Sequence, residues 1–138
     1  MRGFSAEEDA SMIKTMALIF AGGAIGAVLR ELLMLRVPNA LDGFPLDILV
    51  ANLVASFLLG WITALHRRKP ALGDMNTFLG SGLAGGLSTF SSFAYGVSIL
   101  MAASTNSAVV AATYVIVSLA GGYFAISFGL AVGEHRSM

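Results

Sequence analysis

Four long apolar runs, separated by short polar stretches, organise the 138-residue chain. They cover about 15–35, 47–65, 76–101 and 108–130. Each is close to the ~20 residues that an α-helix needs to cross a bilayer. Between the first and second, Arg36 to Pro45 holds the turn formers Pro38, Asn39, Asp42, Gly43 and Pro45. The second run stops at His66-Arg67-Arg68-Lys69-Pro70, and no residue from Met75 to Gly133 is charged. That stretch is too long for one span, and the polar cluster Ser104-Thr105-Asn106-Ser107 divides it. The pattern predicts an all-α integral membrane protein with four transmembrane helices in a single domain over 12–133. Residues 1–11 include Glu7, Glu8 and Asp9 and lack the basic start and small-residue cleavage site of a signal peptide. They are expected to be a disordered extension outside the fold, with Met12-Ile13-Lys14 a natural start and 134–138 a C-terminal tail.

Composition points the same way. Hydrophobic residues make up 57% and charged residues 12%, against about 25% charged in a soluble domain; mean hydropathy is +0.82. Net charge is zero with no long basic run, which argues against a nucleic-acid partner. Cysteine is absent, excluding disulfides and thiolate chemistry, and His66 and His135 sit at predicted helix ends. Few ligands are left for a transition metal.

Inside the third run, Gly82-Leu83-Ala84-Gly85-Gly86-Leu87-Ser88-Thr89-Phe90-Ser91-Ser92-Phe93 departs from simple helix chemistry. Glycine weakens a helix and hydroxyls compete for its backbone bonds. Backbone freed at membrane depth persists only when buried in protein or lining a polar cavity. One reading is therefore a third helix broken at mid-membrane beside an ion site. The other is a glycine-rich face for a neighbouring helix.

In the first run Gly22, Gly26 and Arg30 share one face, which admits close helix approach. Arg30 either faces protein or water, or snorkels to the interface beside Glu31. In the second, Asn52, with Ser56 one turn later, is either interhelical glue or a pore donor. In the fourth, Tyr114, Ser118 and Gly122 share an inward face, since a tyrosine at mid-depth needs a hydroxyl partner.

The intramembrane polar set is almost entirely neutral donors: Asn52, Ser88, Thr89, Ser91, Ser92, Tyr114 and Ser118. No carboxylate lies near mid-span for proton coupling, and no base accompanies the serines, so an enzyme is not expected. Hydroxyl and amide donors suit a small anion that exchanges water for hydrogen bonds. Phe90 and Phe93 either pack a helix face or turn their positive ring edges toward that anion. Four spans put both termini on one side, with Arg2, Lys14, Arg67, Arg68, Lys69 and Arg136; Arg36 and Arg30 lie toward the other. The positive-inside rule makes the termini cytoplasmic.

Four motifs in order give this pattern a family likeness. Gly82-x-x-Gly85-Gly86-x-Ser88-Thr89-Phe90-Ser91-Ser92-Phe93, Gly22-Gly23-x-x-Gly26-Ala27-x-x-Arg30, Asn52-Leu53 and Tyr114-x-x-x-Ser118 together resemble the Fluc (CrcB) fluoride channels, from about Ile13 to Leu130. The resemblance implies an antiparallel, dual-topology dimer with two pores for passive fluoride export across the bacterial inner membrane. It implies pore roles for Asn52, Thr89, Ser91, Tyr114 and Ser118, with Phe90 of one subunit and Phe93 of the other offering ring edges. Backbone carbonyls of Gly85 and Ser88 from both subunits would hold a structural sodium ion on the dimer axis. Arg30 would sit near a vestibule or at the interface.

Departures from the family pattern are Ser92 for the usual threonine, Asp47-Ile48 for Gly-Thr, Glu31 for an aromatic, and Gly96 where many members have glutamate. Any polar role at position 96 is lost or supplied otherwise. The six-to-two bias of positive charge also admits a heterodimer with a paralogous subunit. Two other functions are weighed. A small multidrug-type proton-coupled transporter needs a first-helix glutamate, and only Glu31, near the helix end, is offered. A non-conducting membrane assembly protein would use its small residues for packing alone.

Overall fold

The computed structural model describes residues 6–37, 44–102 and 107–135. All of their regular structure is helical. Helix α1 (Ala6–Arg36) leads to α2 (Leu46–Arg68). A 3₁₀ turn (Pro70–Leu72) and the short α3 (Gly73–Asn76) then open a third helical path. It continues through a π-helical segment (Thr77–Ala84), α4 (Gly85–Leu87) and α5 (Phe90–Ala102). The chain closes with α6 (Ser107–His135). Four stretches are long and apolar enough to cross a membrane: Ala6–Arg36, Leu46–Arg68, Pro70–Ala102 and Ala108–His135.

Helix ends fall outside the apolar runs because hydropathy marks where a bilayer fits, not where the hydrogen-bond ladder stops. Residues 6–11, expected to be disordered, form the exposed start of α1. Glu7, Glu8 and Asp9 lie in its first turn, where carboxylates favour the positive end of the helix dipole. Likewise Glu134 and His135, assigned to a tail, remain in α6. Residues 1–5, 136–138 and the dividing cluster at 104–106 lie outside the described residues.

Two glycine seams hold the helices together. A Cβ on Gly22 or Gly26 would overlap the carbonyl oxygen of Phe78 or Leu83, and one on Gly86 would overlap that of Gly23. Helix α1 and the segment 77–87 therefore touch backbone to backbone, as small residues permit in membrane bundles. The second seam joins α2 to α6, where Gly60 meets the Ile126 carbonyl and Gly129 that of Phe57. Between α2, α5 and α6, buried Leu49, Leu100, Ala111 and Tyr114 form an apolar cluster flanked by Phe44, Phe93 and Val97. Much of the remaining surface is apolar, with Phe20, Leu35, Ile116, Leu119 and Phe124 among the exposed large side chains.

Candidate functional site

At Ser88 the third path leaves helical geometry (φ −73°, ψ 153°), and Thr89 is likewise non-helical before α5 begins at Phe90. Thr89 caps the new helix: its Oγ1 accepts from the Ser92 amide at 3.2 Å and donates to Ser92 Oγ at 3.0 Å. A threonine in this position satisfies one of the amides that a helix start leaves unpaired.

Two side chains from other helices secure the stretch. Asn52 of α2 grips Thr89 from both sides, Oδ1 accepting its N–H at 2.8 Å and Nδ2 donating to its carbonyl at 3.3 Å. Arg30 of α1 donates through Nη1 to the Gly86 carbonyl at 3.0 Å and, at 3.5 Å, to that of Ser88. A guanidinium suits the carbonyls freed at a helix C-terminus, where the dipole is negative. Of the two readings of Arg30, the structure has the protein-facing one.

A cleft of about 290 Å³ opens beside this turn, lined by Asn52, Ser56, Ser88, Thr89, Phe90, Phe93, Ser118 and Leu119. Five of the seven expected pore residues meet there: Asn52, Thr89, Phe90, Phe93 and Ser118. Ser91 and Tyr114 are not in its wall. Ser91 is exposed, with its hydroxyl 3.3 Å from that of Thr89. Tyr114 is fully buried behind Phe93, stacked on it at 5.4 Å, with Phe44 edge-on at 5.3 Å. Packing between Phe93 and Phe44 takes the Tyr114 ring out of the wall. Tyr114 OH and Ser118 Oγ are both buried without a hydrogen-bond partner.

Ser56 is the wall residue that sequence reasoning noted but did not place in the pore; its only signal was its position one turn after Asn52. A second cavity of about 380 Å³, bounded by Ala55, Leu59, Gly80, Ser81 and Gly85, shares Ser56 and Ser88 with the cleft. Polar groups therefore continue from the interrupted turn along the groove between α2 and the π-helical segment. Gly85 and Ser88 are exposed, and a Cβ on Gly85 would meet nothing within 4 Å. Ser88 Oγ bonds the Gly85 carbonyl at 3.2 Å. Phe90 is 81% exposed, its ring 6.0 Å from that of Phe93.

The chain matches the family model described as CrcB-like protein, Camphor Resistance (CrcB), over residues 17–130. It is 53% identical over 123 residues to the protein of Brucella melitensis named fluoride-specific ion channel FluC 2, covering 89% of this chain and 46% of that one. It thus spans about half the length of the first such relatives it matches. A protein of Yersinia pseudotuberculosis named fluoride-specific ion channel FluC 3 is 42% identical over 122 residues, covering 88% of this chain and 90% of its own. One from Ignicoccus hospitalis, also named a fluoride-specific ion channel, is 37% identical over 117 residues, covering 85% and 93%. These names describe a channel rather than an enzyme. Matched by the family model through all four apolar helices, the chain is a multi-pass membrane protein of the CrcB family.

Proposed function

We propose that the chain is a subunit of a fluoride-selective ion channel that exports fluoride passively across the bacterial inner membrane. It works as an antiparallel homodimer with two pores and a structural sodium ion on the dimer axis. The observation that carries this reading is the turn at Ser88 and Thr89 in the middle of the third apolar path. Ser88, where the chain leaves helical geometry, lies open on the surface of the single subunit together with Gly85 and Phe90, while Thr89 beside it is buried. Irregular backbone does not face hydrocarbon, so in a membrane this face must be covered by protein or water. A second copy covers it and turns the adjoining cleft into an enclosed path.

Within that path the chemistry follows from the donors. An ion leaving water needs hydrogen bonds in exchange, and the cleft offers the hydroxyl of Ser56, with that of Ser88 once it gives up its bond to the Gly85 carbonyl. Ser118 lines the cleft, with its Oγ buried beside the Tyr114 hydroxyl and making no hydrogen bond of good geometry. One of the two Asn52 amide hydrogens remains for the ion after the bond to Thr89. Phe90 and Phe93 place rings at the same wall, and their edges carry partial positive charge. Tyr114 supports Phe93 from behind.

The carbonyls of Gly85 and Ser88 fit a sodium site in two respects. They are hard neutral oxygens, as alkali cations at unwound membrane helices require, and the space before Gly85 is open. When bound, sodium would supply positive charge that holds carbonyls of two copies together. Arg30 satisfies the Gly86 carbonyl at 3.0 Å and reaches the Ser88 oxygen at 3.5 Å, a contact that sodium would replace. Charge bias puts the termini more often in the cytoplasm, while the antiparallel dimer requires both orientations.

The test is fluoride efflux from liposomes holding the purified chain, read with a fluoride electrode and repeated with chloride. Rapid fluoride loss without chloride loss is expected. No fluoride loss from a monodisperse preparation, alone or with a paralogous subunit, would instead favour an assembly protein.

A further inference from the structure

Asp47 is the one charged residue buried among the described residues, 7% exposed, with Oδ1 buried and unpartnered. It lies in the first turn of α2, where a carboxylate gains from the helix dipole, yet Oδ1 makes no capping bond. It lines a cavity of about 270 Å³ with Met34, Pro45, Ile48, Ser92, Tyr95, Gly96 and Ile99. Gly96 has no side chain to offer there, and a Cβ on it would come within 2.9 Å of the Pro45 ring. The carboxylate lining this cavity therefore comes from α2.

Ser92 stands on the opposite account. Its Oγ receives the Thr89 hydroxyl and its N–H is given to Thr89 Oγ1, which leaves its own O–H proton without an acceptor. Asp47, whose carboxylate makes no hydrogen bond, and Ser92, whose O–H has no acceptor, thus line one cavity, which has room for a bridging water. Thr89, at the other end of this chain, lines the ion cleft.

We propose that Asp47 is a positioning residue for the ion path, acting through Ser92 to hold the Thr89 hydroxyl proton away from the cleft. With Asp47 as terminal acceptor the hydroxyls run one way, Thr89 to Ser92 to Asp47. Without it, Ser92 donates to Thr89, and Thr89 turns its proton into the cleft as an extra donor to the anion. The charged and ionisable groups on the surrounding elements are Arg30, Glu31 and Arg36 of α1, Tyr95 of α5 and Tyr114 of α6. Arg30 is engaged with the Gly86 and Ser88 carbonyls.

This inference rests on the channel reading, and the experiment separates the two. Fluoride flux is measured against fluoride concentration for the wild type, Asp47→Ala, Ser92→Ala, the double variant and Asp47→Glu. One added hydrogen bond to the ion should lower the half-saturating concentration about three- to tenfold and reduce maximal flux. Either alanine variant should show this split, the double variant should go no further, and Asp47→Glu should behave as wild type. A fall in maximal flux with unchanged half-saturation, or additive effects, would overturn the proposal and leave the channel standing. If the wild type conducts nothing, the channel reading fails. Thermal unfolding of the same four-member cycle then decides the Asp47–Ser92 link: coupled effects support it, and additive effects overturn it.

Discussion

Asn52 and Ser118 share a cleft but stand in opposite structural positions, and substitution should separate them. Both ends of the Asn52 amide are engaged on Thr89. Asn52→Ala removes two bonds and strands the Thr89 amide at a turn without helical support, a loss of about 2 kcal/mol. Melting temperature and fluoride flux should fall together, as circular dichroism and the electrode assay would show. Ser118 Oγ gives the fold little, being buried without a hydrogen bond of good geometry. Ser118→Ala should therefore leave melting within about 0.5 kcal/mol of wild type, or raise it, while flux drops. Equal damage from both substitutions would mean that Ser118 serves packing rather than the ion. The residue types were legible in the chain, since an amide and a hydroxyl inside apolar runs advertise themselves. Their division of labour was not, because the Asn52–Thr89 pair spans 37 positions and forms only when two helices meet. Asp47 stands out in the chain only as a departure from the family pattern; its burial was not legible, since a carboxylate in the first turn of a helix ordinarily faces water.

The seam between α1 and the segment 77–87 carries the interrupted turn, so its glycines matter beyond packing. The contact is backbone on backbone, and no rotamer can relieve an added side chain. Gly26→Val, aimed at the Leu83 carbonyl and the Leu87 amide, should cost at least about 3 kcal/mol, the upper end of overpacking penalties. Loss of a monodisperse peak on size exclusion is the expected outcome. Gly73→Ala, where an added Cβ meets nothing within 4 Å, should behave as wild type. If Gly26→Val were well folded, the seam would be looser than these contacts imply. The spacing of Gly22, Gly26 and Arg30 was readable as one face, and so was the number of apolar runs. The π-helical path from Thr77 to Ala84 was not, because a widened turn depends on what packs against Gly80 and Gly82, not on local propensity.

On the proposed reading, an isolated subunit leaves two problems that assembly would resolve: an open turn in a lipid environment, and a charge distribution that prefers one orientation. Six of eight lysines and arginines belong to the side with the termini, which by itself would insert every copy the same way. Parallel copies, however, would bring like ends together and leave no two-fold axis in the membrane plane on which the Gly85 and Ser88 carbonyls of both copies could converge. An antiparallel pair does provide that axis, and it sets the basic end of each copy beside the less basic end of its partner. If sodium holds those carbonyls together, replacing external and internal sodium with N-methylglucamine should slow flux without dissociating the dimer. The orientation itself is directly measurable because the chain contains no cysteine. A single cysteine placed after His135 can be labelled in intact cells with a membrane-impermeant maleimide and compared with permeabilised cells. A dual-topology homodimer exposes about half of the copies to the outside, whatever the bias expected of an isolated chain. Labelling confined to permeabilised cells would mean that every copy points one way. The pair would then need a partner of opposite bias, and the cleft lined by Phe90 and Phe93 would be completed by another chain's residues.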